Sequence, residues 1–342
     1  MKRITIKDVA KRLNVSISSV SRAFNDKYDI KKETRELILT TAKEMGYSPN
    51  PIAKKLSQNK TFNIGVVVPE FISEFFSEII MAVQEVFINE GYQVLVMQSE
   101  ESPIQELKNV KTLINNMIDG LIIAPATESN NMEYYLEQKQ NGYPIVFLGR
   151  VEESLQADKV LFNNQKWSFF ATEHLISQGY KKIYHLAGHK NLCVSNERIK
   201  GFLKAIRKHK FPKGNYKIIE TGLLAKEGIE IIEDLIYKHD LPDAFYCEND
   251  LVAIGAMKKL KDNGYRVPED IAIMGFTETR MAELVTPPLS SVKQPTFEMG
   301  RRAAELLLEL MKHKSQKTKT IVLNGELKIR RSSTRNVANL IN

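Results

Sequence analysis

Residues 5–22 read Thr5-Ile6-Lys7-Asp8-Val9-Ala10-Lys11-Arg12-Leu13-Asn14-Val15-Ser16-Ile17-Ser18-Ser19-Val20-Ser21-Arg22. Thr5 with Asp8 three positions on is the pattern of a helix cap. Ile6, Val9, Ala10 and Leu13 recur at helical spacing, and Asn14-Val15 interrupts them. Ser16 offers a second cap, followed by Ile17, Val20, Ala23 and Phe24. Two short helices across a tight turn predict a helix-turn-helix. A third helix is predicted from about Lys32 to Met45, with Leu37, Ile38, Ala42 and Met45 inward and Gly46 ending it as a C′ residue.

The charge is concentrated in the same region. The chain has 342 residues and a net charge of +8, and residues 1–60 hold 14 Lys and Arg against 6 Asp and Glu. The remainder therefore sums to zero, which predicts a small polyanion-binding module on a neutral body. On the second helix, Val20, Ala23 and Phe24 are core candidates, while Ile17, Ser18, Ser21 and Arg22 point elsewhere. Small hydroxyls let a helix approach a phosphate backbone, and an arginine there can grip a guanine edge with two hydrogen bonds. After Gly46, two prolines bracket Asn50 and a short helical segment follows. One or two helical turns are unstable alone, so this segment is expected to order against a partner, where Leu56 can wedge into a minor groove.

Thr5-Ile6-Lys7-Asp8-Val9-Ala10, Val15-Ser16, Val20-Ser21-Arg22, Thr34-Arg35 and Gly46-Tyr47-Ser48-Pro49-Asn50 resemble the signature of LacI/GalR transcriptional regulators. Ala53 and Leu56 match that family's hinge helix. The resemblance continues to about Arg335 through Ile64–Pro69, Phe75–Ile79, Asp119–Ile122, Thr172–Ile176, Arg198 with Gly201-Phe202, Asn249-Asp250 and Val267–Ala272. It implies an all-α helix-turn-helix head on an α/β periplasmic-binding-protein-like body, with two lobes built on parallel sheets. The alternation of apolar runs with amphipathic segments agrees with parallel sheets flanked by helices. The implied organisation is a DNA-binding domain over 1–49 and a hinge over 50–60. Lobe one is 61–161 plus 291–323, and lobe two is 162–290 plus 324–342.

The function implied is a DNA-binding regulator, a repressor, that pairs as a homodimer on a pseudo-palindromic double-stranded operator and responds to a small effector held between the lobes. Carbohydrates are the first effector class, purines or nucleosides the second. The DNA contacts expected are Thr5, Ser16, Ile17, Ser18, Ser21, Arg22, Asn25, Ala53 and Leu56. The effector contacts expected are Phe75, Phe76, Arg150, Arg198, Asn249, Asp250 and Thr277. Asp250 is equally readable as a helix cap, and Phe75 or Phe76 as core. The chain departs from the family where aspartates are usual, at Thr277, Gly149 and Asn163. With those charges gone, Arg150 and Arg198 are expected to face an anionic ligand.

Other classes find little support. Two cysteines, Cys193 and Cys247, cannot make a disulfide framework or a four-ligand zinc site. There is no phosphate-binding glycine loop, His-Glu-x-x-His or Gly-x-Ser-x-Gly, and His185 and His189 are separated by Gly188. No enzyme, cofactor or metal is expected. No apolar run is long enough to cross a bilayer, and the early charges leave no room for a signal-peptide core, so a cytoplasmic location is expected. The tail after Arg335 lacks leucine heptads, which favours a dimer over a tetramer.

Overall fold

The computed structural model describes residues 4–24, 30–48, 60–71, 73–116, 118–313 and 317–335. The chain divides into two units, Met1–Phe62 and Asn63–Asn342.

The first unit holds α1 (Ile6–Leu13), α2 (Ile17–Phe24) and α3 (Lys32–Glu44). Asp8 Oδ2 accepts from the Thr5 amide at 2.8 Å and from the Thr5 hydroxyl at 2.7 Å, which fixes the start of α1. Asn14 ends α1 in the left-handed region at φ 52°, and Ser16 Oγ accepts from the Ser19 amide at 3.0 Å to begin α2. Gly46 at φ +71° ends α3. The next residue, Tyr47, donates its amide to Ala42 O at 2.8 Å. Val9, Ala10, Val20, Ala23, Ile38 and Ala42 form the buried centre. Leu37, expected inward, is instead 58% exposed. Its neighbour Ile38 takes the core position, because one residue along a helix turns the side chain by about 100°.

The second unit contains two parallel sheets. β1 (Asn63–Val68), β2 (Gln93–Gln98), β3 (Gly120–Ile123), β4 (Ile145–Leu148), β5 (Lys159–Phe162) and β11 (Thr320–Leu323) form the first, in the order β11-β5-β4-β3-β1-β2. The second is β7 (Tyr216–Glu220), β6 (Ile183–Ala187), β8 (Ala244–Cys247) and β9 (Ala272–Met274), in that order. Ile64 to Val68 are buried without alternation, as expected for a parallel strand covered on both faces. Around the first sheet lie α4 (Glu74–Asn89), α5 (Pro103–Asn115), α6 (Met132–Gln140) and α12 (Thr296–Lys312). Around the second lie α7 (Asn164–Ser177), α8 (Cys193–Lys208), α9 (Ala225–Tyr237) and α10 (Asp250–Asp262), with the short α11 (Met281–Leu284) following β9. A Cβ at Gly201 on α8 would stand 2.3 Å from Gln165 O on α7, so the two helices can approach this closely only with glycine there.

The chain passes between the sheets three times. β5 leads directly into α7, β9 leads through residues 275–290 into β10 (Ser291–Lys293) and α12, and β11 returns through β12 (Glu326–Lys328). β10 and β12 pair antiparallel, and Ser332 Oγ donates to Ile273 O at 2.7 Å, tying the end of the chain to β9.

The Thr5–Asp8 cap carries the first test. Asp8→Ala should destabilise the head by about 0.5–2 kcal/mol. The measurement is amide hydrogen exchange, which should quicken across residues 6–24 and stay unchanged in the body.

Candidate functional site

Helix α2 and its cap present an exposed face. Ser16, Ile17, Ser18 and Arg22 are exposed, and Ser21 is half-buried. Behind them Val20 and Ala23 are buried, so the helix cannot rotate without losing its core. Arg35 Nε donates to Ala23 O at 3.1 Å and Phe24 meets Tyr47 edge-on at 5.5 Å, which pins the far end of α2. Arg22 has no ion-pair or hydrogen-bond partner among the described residues. Ser16 Oγ already engages the Ser18 and Ser19 hydroxyls, at 2.7 and 2.8 Å. Both Thr5 donors are taken by Asp8, so Thr5 serves the helix start in this structure. Asn25, Ala53 and Leu56 lie outside the described residues.

The expected effector residues sit at the carboxyl ends of the body strands or on helices beside them, where open α/β sheets bind ligands. Segments from both sheets meet there. Asn191 Nδ2, after β6, donates to Glu128 Oε1, after β3, at 2.9 Å. The Arg280 amide donates to Glu74 Oε2 at 2.7 Å. Cys193 at the start of α8 feels the charge of Arg150 from the first sheet, although burial dominates and pushes its thiol up to about 11. Both cysteines are free, Cys247 buried and Cys193 half-buried.

In the first lobe, Phe75 is half-buried and Phe76 is buried, with their rings perpendicular at 5.0 Å. The Arg150 guanidinium lies 5.4 Å from the Phe76 centroid, and its Nη1 donates to Glu101 Oε1 at 2.6 Å. In the second lobe, Arg198 is buried. Its Nη1 donates to Glu248 O at 2.5 Å and to Glu248 Oε1 at 3.0 Å, and its Nε donates to Asn164 Oδ1 at 3.1 Å. The guanidinium is 4.0 Å from the Phe276 centroid. Both arginines, expected to face an anionic ligand, thus already carry a carboxylate partner. Their carboxylates come from Glu101, after β2, and Glu248, after β8.

Asn249, not Asp250, caps α10. Its Oδ1 accepts from the Val252 amide at 2.9 Å and its Nδ2 donates to Leu223 O at 2.8 Å. Asp250, the first residue of α10, is fully buried. Its Oδ1 accepts from Ser291 Oγ at 2.6 Å, and its Oδ2 from the Thr279 amide at 2.6 Å and hydroxyl at 3.2 Å. Burial outweighs these donors and pushes its carboxyl up to about 7. Thr277 sits at φ 106°, a strained conformation for a β-branched residue, with its amide donated to Val292 O at 2.8 Å. His185 is buried on β6, stacked on Tyr246 at 4.4 Å, away from any metal-like grouping. Among the described residues no cluster of three His, Cys, Asp or Glu has metal-binding geometry, and no helix is long and apolar enough to cross a membrane. A separate surface groove of about 480 Å³, bounded by Trp167, Phe170, His174 and Leu327, contains none of the expected residues.

A helix-turn-helix with a free polar face, followed by two parallel-sheet lobes whose strand ends converge, defines a DNA-binding protein with a ligand-binding body. The comparisons agree with that class at both ends of the chain. Residues 5–50 match the model for bacterial regulatory proteins of the lacI family, and residues 172–333 match a periplasmic binding protein-like domain. A probable HTH-type transcriptional regulator, EndR of Paenibacillus polymyxa, is 34% identical over 91% of this chain and 92% of its own. The HTH-type transcriptional repressor PurR of Mannheimia succiniciproducens is 31% identical over 96% of this chain and 98% of its own. The lac repressor dimer bound to operator and the anti-inducer ONPF superposes with a TM-score of 0.85 at 25% identity, covering 97% of this chain and all of that one. The chain belongs to the lacI family of bacterial regulatory proteins. It is a DNA-binding transcriptional regulator with an effector-binding body, and the relatives named are regulators, not enzymes.

Asp250 gives this site a pH signature. Its carboxyl ordinarily titrates near 3.8 and does so near 7 in the folded protein. Between those values the folded state holds a proton the unfolded state has lost, so this group's contribution to stability falls as pH rises. His174 and His185, both held down to about 4 by burial, give the opposite slope below pH 6.5. Asp250→Asn keeps an acceptor for the Thr279 amide. The test is the difference in melting temperature between wild type and variant, which should shift in the variant's favour from pH 4 to pH 7. A constant difference would show that Asp250 ionises normally.

Proposed function

We propose that this protein is a repressor that pairs as a homodimer and sets two α2 helices into successive major grooves of a pseudo-palindromic operator. Ile17, Ser18 and Arg22 read base edges, while Ser16, Ser21 and the surrounding lysines and arginines hold phosphates. The observation that carries this reading is the rigidly backed, exposed face of α2 in a 60-residue segment that holds the whole net charge. Asn25 joins the same contacts, and the hinge carrying Ala53 and Leu56 engages the minor groove between the half-sites. The relation to the lac repressor, whose dimer is bound to operator, supports the paired arrangement.

The effector site lies between the strand ends, with Phe75, Phe76, Arg150, Arg198, Asn249, Asp250 and Thr277 on its walls or directly behind them. Aromatic rings beside neutralised guanidinium groups suit a hydroxyl-rich ligand such as a sugar: the rings cover its C–H faces and the remaining N–H donors meet its oxygens. Binding there changes the angle between the lobes and so the spacing of the two heads. A coupling of about 1–3 kcal/mol changes operator affinity roughly 5–150-fold.

Arg22→Ala should weaken binding to an operator recovered by selection from random duplexes by about 1–3 kcal/mol, with a much smaller loss on random DNA. Equal losses on both would reduce Arg22 to a phosphate contact. For the effector, neutral sugars and purine bases are titrated calorimetrically, each with and without operator. A sugar should bind and change operator affinity, and binding by purine bases alone would replace the sugar class.

A further inference from the structure

Arg150, after β4, and Arg198, on α8, each come with a built-in counter-ion. Glu248 follows β8 and is fully buried. Its Oε1 accepts from Ser195 Oγ at 2.7 Å and from Arg198 Nη1 at 3.0 Å, and its Oε2 accepts from the Gly188 amide at 3.0 Å. A Cβ on residue 188 would stand 2.4 Å from Ser195 Oγ and 3.0 Å from Glu248 Cδ, so the carboxylate reaches that amide only because residue 188 is glycine. Arg198 is then held on a second side by Asn164 and beneath by Phe276. Its Nη2 makes no hydrogen bond to the described residues. In the first lobe, Arg150 is paired with Glu101, whose side chain is 32% exposed where Glu248 is enclosed. The other Glu101 oxygen accepts from the Thr127 amide at 2.8 Å and hydroxyl at 2.9 Å.

A desolvated guanidinium with no counter-charge binds carboxylates and phosphates strongly and often through two parallel hydrogen bonds. Here one edge of each guanidinium is already committed to a carboxylate. An incoming anion would face that carboxylate's repulsion, screened weakly at the enclosed Glu248 and more strongly at the partly exposed Glu101. A neutral hydroxyl meets no such barrier and can still accept from Arg198 Nη2.

We propose that Glu248 and Glu101 are specificity-determining residues of the effector site, each neutralising an arginine so that the site admits neutral hydroxyl-rich ligands and bars carboxylates and phosphates. The proposal rests on the effector-site reading above. Both act through the arginine they hold. This reverses what the missing aspartates alone would imply.

The test uses the full-length protein and inorganic phosphate as probe. Calorimetric titrations compare wild type, Glu248→Gln, Glu101→Gln and the double variant Glu248→Gln/Arg198→Gln. Phosphate held by the basic head is common to all four and cancels. Glu248→Gln should gain at least tenfold in phosphate affinity, and the double variant should lose that gain. Glu101→Gln should show a comparable gain, and it decides the matter if Glu248→Gln does not fold. Arg198-dependent phosphate binding by wild type would overturn the proposal, as would folded variants that gain nothing. Operator affinity is measured in the same samples. If the gained phosphate leaves operator affinity unchanged, the barrier to anions stands and the site is not the effector site. If it changes operator affinity, both readings hold.

Discussion

The carboxylate of Asp250 joins three segments that are distant in sequence. It begins α10, it receives the amide and hydroxyl of Thr279 in the turn after β9, and it receives the hydroxyl of Ser291 where the chain starts back toward the first sheet. Because the group is fully buried, those donors have no water to replace it. The turn they hold contains Thr277 and Glu278, both at positive φ without glycine's freedom. Such a conformation persists only where its surroundings over-determine it. Asp250 thus fixes the crossing strand β10 against the second sheet, and Glu248 and Asn249, which immediately precede it after β8, are placed by the same frame.

Charge is handled in opposite ways in the two units. In the head the described basic residues Lys7, Lys11, Arg12, Arg22, Lys31, Lys32 and Lys43 are exposed, where charge attracts a polyanion at long range and is screened by salt. In the body the half-buried and buried arginines Arg150, Arg198 and Arg330 each meet a carboxylate. Arg198 has Glu248, Arg150 has Glu101, and Arg330 has Glu278 through two hydrogen bonds. A net charge of zero over the body therefore reflects local pairing at its strand ends as well as a balance of surface residues.

Much of this was legible in the sequence, and the reasons for success and failure are physical. The helix starts at Thr5 and Ser16 and the stop at Gly46 were readable because capping depends on side chains at fixed local offsets. Strands such as Asn63–Val68 and Ile145–Leu148 were readable because burial on both faces demands an unbroken apolar run. β10, β11 and β12 were not, since three or four residues with partial exposure carry too little pattern. Leu37 misled because a leucine beside Ile38 is indistinguishable from core by periodicity alone. At the site, family resemblance pointed to Arg150 and Arg198 but not to their partners. Glu248 stands in Cys247-Glu248-Asn249-Asp250, next to two residues already singled out, and a glutamate there looks like a surface residue until the fold buries it. The usable signal was the apolar strand Ala244–Cys247 leading straight into it. Glu101 gave no local signal, because its partner Arg150 is 49 positions away.

The buried Arg198–Glu248 pair is expensive for a fold to keep. Desolvating two charges costs several kcal/mol each, and well-packed apolar residues in their place are often as stable or more so. Lobe two has apolar alternatives at hand, with Phe202, Tyr246 and Phe276 packed around the same point. Stability alone thus gives no reason for the pair. Contact with a ligand does give a reason for the arginine, since a donor fork held rigidly on α8 orients polar oxygens. It gives none for the glutamate, which faces Ser195, Gly188 and Arg198 and is fully enclosed. The glutamate also receives the Ser195 hydroxyl and the Gly188 amide, but what its charge adds is its effect on the arginine: it holds the fork still and cancels the fork's charge. A site built this way distinguishes ligands by charge before it distinguishes them by shape.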